Sequence, residues 1–324
     1  MKLGIDAMSG DLGSKEVVEA CKVFAENNKN DELFVVGKQE QLQELTKYNN
    51  IKIIDSREVL EMTEDILAIR RKKEASMVKT LMLARNDEVD AVVSCGNTGA
   101  YYASATLFIK RLKGVERSCL MAVLPTYSDK GVCMLDVGAN AENTPEQLEV
   151  FALLGSVYAN AVRNIQKPRV KLLNIGTEDH KGDSVHKETY QLLLKNKHVN
   201  FEGNIEGKGI LNDEADVIVT DGFTGNVALK SIEGTATTLV HCLKDGFLSS
   251  LRNKMGAMMV KPVLKTLVKK FDPNTVGGAL MLGFNKPIVK AHGASDSKAI
   301  INAMMLAKSM VERDVIEKMK EGLE

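Results

Sequence analysis

The chain has 324 residues, which at about 150 residues per domain fits two domains or one large α/β unit. Acidic and basic residues number 43 each and Trp is absent, so the basic field and the stacking platforms of a nucleic-acid binder are missing. Five scattered cysteines (Cys21, Cys95, Cys119, Cys133 and Cys242), with no CxxC pair, read as reduced thiols of the cytosol.

Asp6 arrives too early for the apolar core of a signal peptide. A strand is predicted at 2–6, a helix near 14–28, strands at 33–37 and 51–54, and a helical stretch near 63–86. A strand at 91–95 leads into a helix near 98–112. This stretch is uncharged from 91 to 109, but Ser94, Asn97, Thr98 and two glycines make it strand, loop and helix rather than a membrane span. Strands at 120–124 and 132–136 precede a helix near 145–163. A strand at 170–174, a helix near 184–195, a strand at 216–220, a long helical region near 224–271, a strand at 287–291 and a helix near 295–321 complete the chain. Several strands are continuous apolar runs, as in strands covered on both faces. Alternation of β and α elements predicts a three-layer α/β/α architecture around a mainly parallel sheet. Residues 1–324 are expected to form one unit, with a helical hairpin over 231–271.

Small polar, glycine-rich loops follow the strands: DAMSGD at 6–11, SCGNTGA at 94–100, DVGAN at 136–140, NIGTEDHKGD at 174–183, TDGFTGN at 220–226 and KAHGASDS at 290–297. Any one of them is an ordinary set of turn residues. All six are expected at one end of the sheet, where the carboxyl ends of parallel strands make a ligand crevice. Glycine lets backbone N–H groups approach an anion, and a following helix N-terminus adds partial positive charge. No GxxxxGK[ST] or GxGxxG fingerprint supports a nucleotide, and no HExxH or paired Cys/His spacing supports zinc. No GxSxG elbow supplies a hydrolase serine. No metal or cofactor is expected. Cys95 reads as a small residue closing its strand rather than as a nucleophile. Abundant anion-binding groups without an evident covalent nucleophile suit phosphate as a substrate.

In order and spacing, DAMSGD, RRKKEASM at 70–77, SCGNTGA, LDVGAN, NIGTEDHKGD, DVIVTDGFTGN and KAHGASD resemble the bacterial phosphate acyltransferase family over essentially the whole chain. The resemblance implies a fold related to phosphotransacetylases and isopropylmalate-type dehydrogenases, and a homodimer. It also implies reversible transfer of a long-chain fatty acyl group from acyl carrier protein to inorganic phosphate. The acyl phosphate would pass to a membrane glycerol-3-phosphate acyltransferase for phospholipid synthesis. That places the protein in the cytoplasm, against the inner face of the membrane. The chain departs from the family pattern at Ser9, usually Gly, at Cys95, usually a small residue such as Ala, and at His180.

Held phosphate can attack a thioester directly, so no acyl-enzyme is required. Backbone N–H groups at Gly96–Gly99 and Gly222–Gly225, with Asn97, Thr98 and Thr224, are candidate phosphate and oxyanion donors. His292 is the candidate general acid or base, with Asp296 to orient it; a loop hydrogen bond is its plainer role. Lys181 and Lys290 would bring positive charge to phosphate, or are surface lysines, and Glu178 and Asp179 are placed to hold Lys181. Asp221, Asn226 and Asn140 would anchor loops or bind phosphate. The run Arg70, Arg71, Lys72, Lys73 is either a solvated helix face or a dock for the acidic carrier protein. In the hairpin, a turn near Gly256 and Pro262 would present Lys254–Lys261 as a tip, with Met255, Met258, Met259, Val260 and Lys261 touching the membrane. Packing of these helices on each other or across a dimer would also hide such residues. The alternative functions are a short-chain phosphotransacetylase using coenzyme A and a non-catalytic lipid- or carrier-binding protein. A hydroxyacid dehydrogenase would need a metal-binding carboxylate set that is not evident.

Overall fold

Among the described residues the chain forms eleven strands: β1 (Lys2–Asp6), β2 (Glu32–Gly37), β3 (Ile51–Asp55), β4 (Ala91–Ser94), β5 (Cys119–Leu124), β6 (Val132–Leu135), β7 (Val170–Asn174), β8 (Phe201–Glu206), β9 (Val217–Val219), β10 (Ala279–Leu282) and β11 (Ile288–Lys290). The structure, a computed structural model, describes residues 1–61, 64, 68–271 and 278–324. Its helices are α1 (Ser14–Asn27), α2 (Ala68–Arg71), α3 (Ser76–Arg85), α4 (Thr98–Phe108), α5 (Pro145–Arg163), α6 (Ser184–Lys195), α7 (Gly222–Leu248), α8 (Leu251–Lys270), α9 (Ser297–Glu312) and α10 (Val315–Leu323). Most of the first turn of the helix predicted near 63–86, namely 63 and 65–67, lies outside the described residues; the remainder forms α2 and α3. Sequence reading missed β8 and β10.

All the strands join one sheet in the order β3-β2-β1-β4-β11-β10-β5-β6-β9-β7-β8. A single transverse row shows how burial sets its register: Val35, Ile5, Val93, Val289, Leu280, Met121, Leu135, Val219 and Leu172 lie side by side. Every one of them belongs to the core cluster that faces α1, α5, α9 and α10. A one-residue slip would turn that row to the opposite face. The next row, Val92, Ile288, Met281 and Leu120, belongs to the second core, under α3, α4 and the start of α7. Helices on both faces confirm the three-layer reading.

Strand polarity corrects another expectation. β10 is antiparallel to both β11 and β5, and β5 is antiparallel to β6. The parallel group β3-β2-β1-β4-β11 therefore points opposite to the parallel group β6-β9-β7-β8. The six glycine-rich loops do not share one end. Those after β1, β4 and β11 lie at one end, and those after β6, β7 and β9 lie at the other. The connections explain the reversal, because the loops 125–131 and 283–287 are too short for a parallel crossover.

The long helical region also differs. α7 runs 27 residues to Leu248, and the chain turns at Ser249 and Ser250, where the Ser250 side chain accepts the Asn253 amide at 3.1 Å. Gly256 and Pro262 lie inside α8, so the tip is at Leu248–Leu251 and not at Lys254–Lys261. Met255, Met258, Met259 and Val260 occupy the flank of α8 nearest that tip, and all are exposed. α8 buries none of its residues, and α7 buries only Gly222 and Gly225. Among the described residues no helix is long and apolar enough to cross a membrane.

Candidate active site

A cavity of about 340 Å³ opens over the antiparallel pair at the centre of the sheet, on the second face. Side chains alternate across a strand, and Leu120, Ala122 and Leu124 of β5 form the floor. Leu229, Ile232 and Ala236 of α7 form one wall, and Thr98 in the first turn of α4 marks the other side. Lys290, Ala291 and His292 arrive from one end of the sheet, Gly138 and Asn226 from the other. Four of the six loops thus meet over the strands that reverse the sheet.

Hydrogen bonds tie the loops after β1, β4 and β11 together. The Ser94 hydroxyl donates to Asp6 at 2.6 Å and accepts the Gly96 amide at 3.1 Å. The Ala291 amide donates to the Ser94 carbonyl at 3.0 Å, and the Asp11 amide to the Gly293 carbonyl at 2.8 Å. Gly96 admits no side chain, since a Cβ there would stand 2.2 Å from the Met77 methyl and 2.7 Å from Ser9. Lys290 is 7% exposed and donates to the carbonyls of Ala291 and, at 3.5 Å, Cys95. Burial pulls its ammonium down to about 8, against attraction from Asp11 and Asp6. Its charge therefore titrates close to neutral pH. Cys95, 4% exposed, is pushed up to about 12 by burial, so its thiol stays protonated. His292 is exposed at the cavity, and its Nδ1 accepts the Ala294 amide at 3.3 Å.

At the other end the loop after β6 closes on its own carboxylate. Asp136, wholly buried, accepts from the amides of Leu120, Gly138, Ala139 and Asn140 at 2.9–3.0 Å and from the Asn140 side chain at 2.7 Å. Burial raises its pKa even against these hydrogen bonds. The first turn of α7 presses on this loop. A Cβ at Gly222 would lie 1.9 Å from the Asn140 carbonyl oxygen, and one at Gly225 would lie 1.9 Å from that of Asp136.

The profile of a family described as fatty acid synthesis protein matches residues 1–318. A phosphate acyltransferase of Geobacillus sp. (strain WCH70) is 43% identical over 100% of this chain and 99% of its own. One from Lysinibacillus sphaericus (strain C3-41) is 44% identical over 99% of this chain and 98% of its own. The chain belongs to the phosphate acyltransferase family. Solved structures show the same fold at low sequence identity. A phosphotransacetylase from Streptococcus pyogenes covers 98% of the acyltransferase chain and is itself covered over 94%, with TM-score 0.60 and 16% identity. A branched-chain phosphotransacylase from Enterococcus faecalis V583 gives TM-score 0.62 at 12% identity, over 96% and 99% of the two chains.

Of the residues singled out from sequence, the acyltransferase brings Thr98, Asn226, Lys290 and His292 to the cavity. Gly96, Asn97 and Gly99 stand beside Thr98, and Asn97 caps α4 by accepting the Ala100 amide at 3.0 Å. Other side chains carry structural duties instead. Asp296 caps α9, accepting the Ala299 amide at 2.9 Å, rather than turning His292. Asp221 caps α7 through the Thr224 amide at 2.8 Å, which also occupies that amide. The Gly222 amide donates to Asn143 at 3.2 Å and the Gly225 amide to the Asp221 carbonyl at 2.9 Å, so these are not free anion donors. Asn140 is buried between Asp136, the Ser118 carbonyl at 2.8 Å and the Tyr102 hydroxyl at 3.3 Å, which leaves its amide no room for phosphate. Lys181 lies in the loop after β7, outside the cavity lining, with Glu178 at 3.9 Å. In the basic run, α2 ends at Arg71 and Lys72 pairs with Glu64 at 2.7 Å; Arg71 and Lys73 are exposed, and the Arg70 side chain lies outside what is described. Sequence reading missed Asp6, Ser94 and Asp136 as organisers, and the β5 face as the floor. The alternation of Leu120, Ala122 and Leu124 in an uncharged strand was the available signal.

Proposed function

We propose that the enzyme transfers a long-chain fatty acyl group from acyl carrier protein to inorganic phosphate, making acyl phosphate for phospholipid synthesis. The observation that carries this reading is one cavity with Lys290, His292 and Thr98 at its mouth and an apolar β5 floor beneath. The polar end suits phosphate and a thioester carbonyl, and the floor suits a hydrocarbon. Lys290 holds hydrogen phosphate by charge, and the first-turn amides of α4 at Thr98 and Gly99 complete the cradle. A phosphate oxygen bonds to the carbonyl carbon and the C–S bond breaks. The phosphate proton passes by way of His292 to the departing carrier thiolate. Cys95 forms no acyl-enzyme, because burial keeps it a thiol. The deciding assay incubates the protein with palmitoyl-acyl carrier protein and labelled phosphate, and traps acyl phosphate with hydroxylamine. Labelled product released together with free carrier thiol supports the reading. Turnover of acetyl-coenzyme A but not of the carrier substrate would move the assignment to a short-chain phosphotransacetylase.

We further propose that the enzyme works as a homodimer at the cytoplasmic membrane surface, close to the glycerol-3-phosphate acyltransferase that takes its product. The flank of α8 near the tip exposes Met255, Met258 and Met259, the last by 85%, between Arg252, Lys254 and Lys261. Each basic residue near an anionic surface contributes about 1 kcal/mol. Co-sedimentation with anionic vesicles should be lost in Met255→Glu with Met258→Glu. Equal binding by variant and wild type removes the hairpin from the membrane. Of the basic run, Arg71 and Lys73 remain available to meet the acidic carrier protein.

A further inference from the structure

A second cavity, of about 460 Å³, lies along the hairpin between α7 and α8, closed at its base by Leu211. It adjoins the first, because Ile232, Ala236 and Phe271 line both. Its character changes along its length. The hydroxyls of Ser231 and Thr235 sit near the seam with Leu267 and Val268, and toward the tip Leu239, Val240, Leu243 and Leu264 offer no polar side chain. Among the described residues no charged side chain lines it. From Ile232 to Leu243 the α7 wall advances about 16 Å at the helical rise. Each volume falls within the ~300–1,000 Å³ usual for small-molecule sites.

We infer that this groove holds the hydrocarbon chain of the acyl substrate, with the thioester at the polar mouth and the methyl end between α7 and α8. The assignment rests on the phosphate acyltransferase reading and adds to it the element that measures chain length. Adjacency to the cavity that holds Lys290 and His292 distinguishes an acyl chain from other occupants, because its polar head must reach those groups. The helical period separates this groove from the surface proposed for the membrane. Leu264, Leu267 and Val268 face α7, whereas Met255, Met258 and Met259 fall on the opposite side of α8. One helix therefore has an inner apolar face for the substrate and an outer one for the lipid surface. Leu239, Leu243 and Leu267 are exposed along this groove.

The test places a bulky side chain at two depths of the groove in the full-length protein. Ala236→Phe narrows the seam, and Val240→Phe, one helical turn nearer the hairpin tip, narrows the inner part. Turnover with phosphate is measured for butyryl, decanoyl and palmitoyl thioesters of acyl carrier protein. Ala236→Phe should lower the ratio of palmitoyl to butyryl turnover at least tenfold. Val240→Phe should lower the ratio of palmitoyl to decanoyl turnover while sparing the ratio of decanoyl to butyryl. Unchanged ratios in both variants would overturn the assignment. So would equal loss on every chain with weakened self-association in sedimentation, which means that a second copy covers the groove. Loss of anionic-vesicle binding with unchanged ratios means that bilayer lipid covers it, and likewise overturns the assignment. If the wild type makes no acyl phosphate from any of the thioesters, the underlying reading fails instead, and the two failures are distinguishable.

Discussion

The two ends of the sheet carry loops of the same composition and put them to different use. After β6 and β9, the amides of Gly138, Ala139, Asn140, Gly222 and Thr224 are taken by side chains within the fold, so DVGAN and the start of TDGFTGN form a clamp. After β4 and β11, a buried ammonium, an exposed imidazole and the first turn of α4 face a cavity. Glycine is required at both ends, for backbone packing at Gly222 and Gly225 and for a close approach to Met77 and Ser9 at Gly96. Anion-loop composition identifies a place where backbone comes close to something. It does not say whether that something is a ligand or more protein.

The largest effect should come from breaking the clamp. Asp136→Ala orphans four backbone amides and the Asn140 side chain. At about 1–3 kcal/mol for each buried unsatisfied donor, the loss should be on the order of 4 kcal/mol or more, visible as a large drop in the denaturation midpoint. Gly225→Ala should fail in the same assay, because its Cβ meets backbone rather than a movable side chain. A near-normal midpoint for either would dissolve the distinction between the two ends.

Next in size is Lys290→Met, expected to lower kcat/KM for phosphate by about two to three decades. The wild-type profile should fall as pH rises through about 8, where the ammonium loses the charge proposed to hold phosphate. The variant should lack that limb. An unchanged alkaline limb would assign it to another group.

His292→Ala should cost one to three decades in kcat, roughly the contribution of a general acid–base group, with the midpoint unchanged because the side chain is exposed. Wild-type turnover would take the imidazole out of the chemistry. Asn97→Ala should show both kinds of effect, about 1 kcal/mol of stability from the lost α4 cap and a rate loss of about one decade. The smallest effect is expected from Cys95→Ala, within about twofold of wild type, since a buried thiol held near 12 supplies no thiolate. An acyl adduct on Cys95 that forms and decays at the catalytic rate would falsify direct attack by phosphate.

Reading from residues alone went furthest where the cause is local. Apolar runs such as LFVVG and AVVS, flanked by amphipathic helices, specify strands covered on both faces, and the three layers follow. The loop motifs, in their order, carry the family resemblance. That Lys290 and His292 come to one place was legible because Lys290 ends a strand and His292 follows it by two residues. β10 was not legible, since four residues in GGALMLGF carry too little period to separate strand from loop. The reversal of the sheet was missed separately, although the short connection from β5 to β6 already demanded an antiparallel pair. The tip of the hairpin was misplaced because Gly256 and Pro262 look like a turn. Tertiary placement of α7 against α8 instead puts the break at Ser249 and Ser250, and the helix runs through both residues.

Composition and pattern thus determined the elements, the layers and the abundance of groups suited to an anion, because each depends on neighbours in the chain. Which loops keep their polar groups for a ligand was decided only in three dimensions. Asn140, Asp221 and Asp296 look like site residues in one dimension and are consumed within the fold, Asn140 by the Asp136 carboxylate and the Ser118 carbonyl, the two aspartates by helix amides. The cavity itself needs β5, α4, α7 and the loop after β11, which are remote in sequence and meet only because the antiparallel pair β5–β6 reverses the sheet between them.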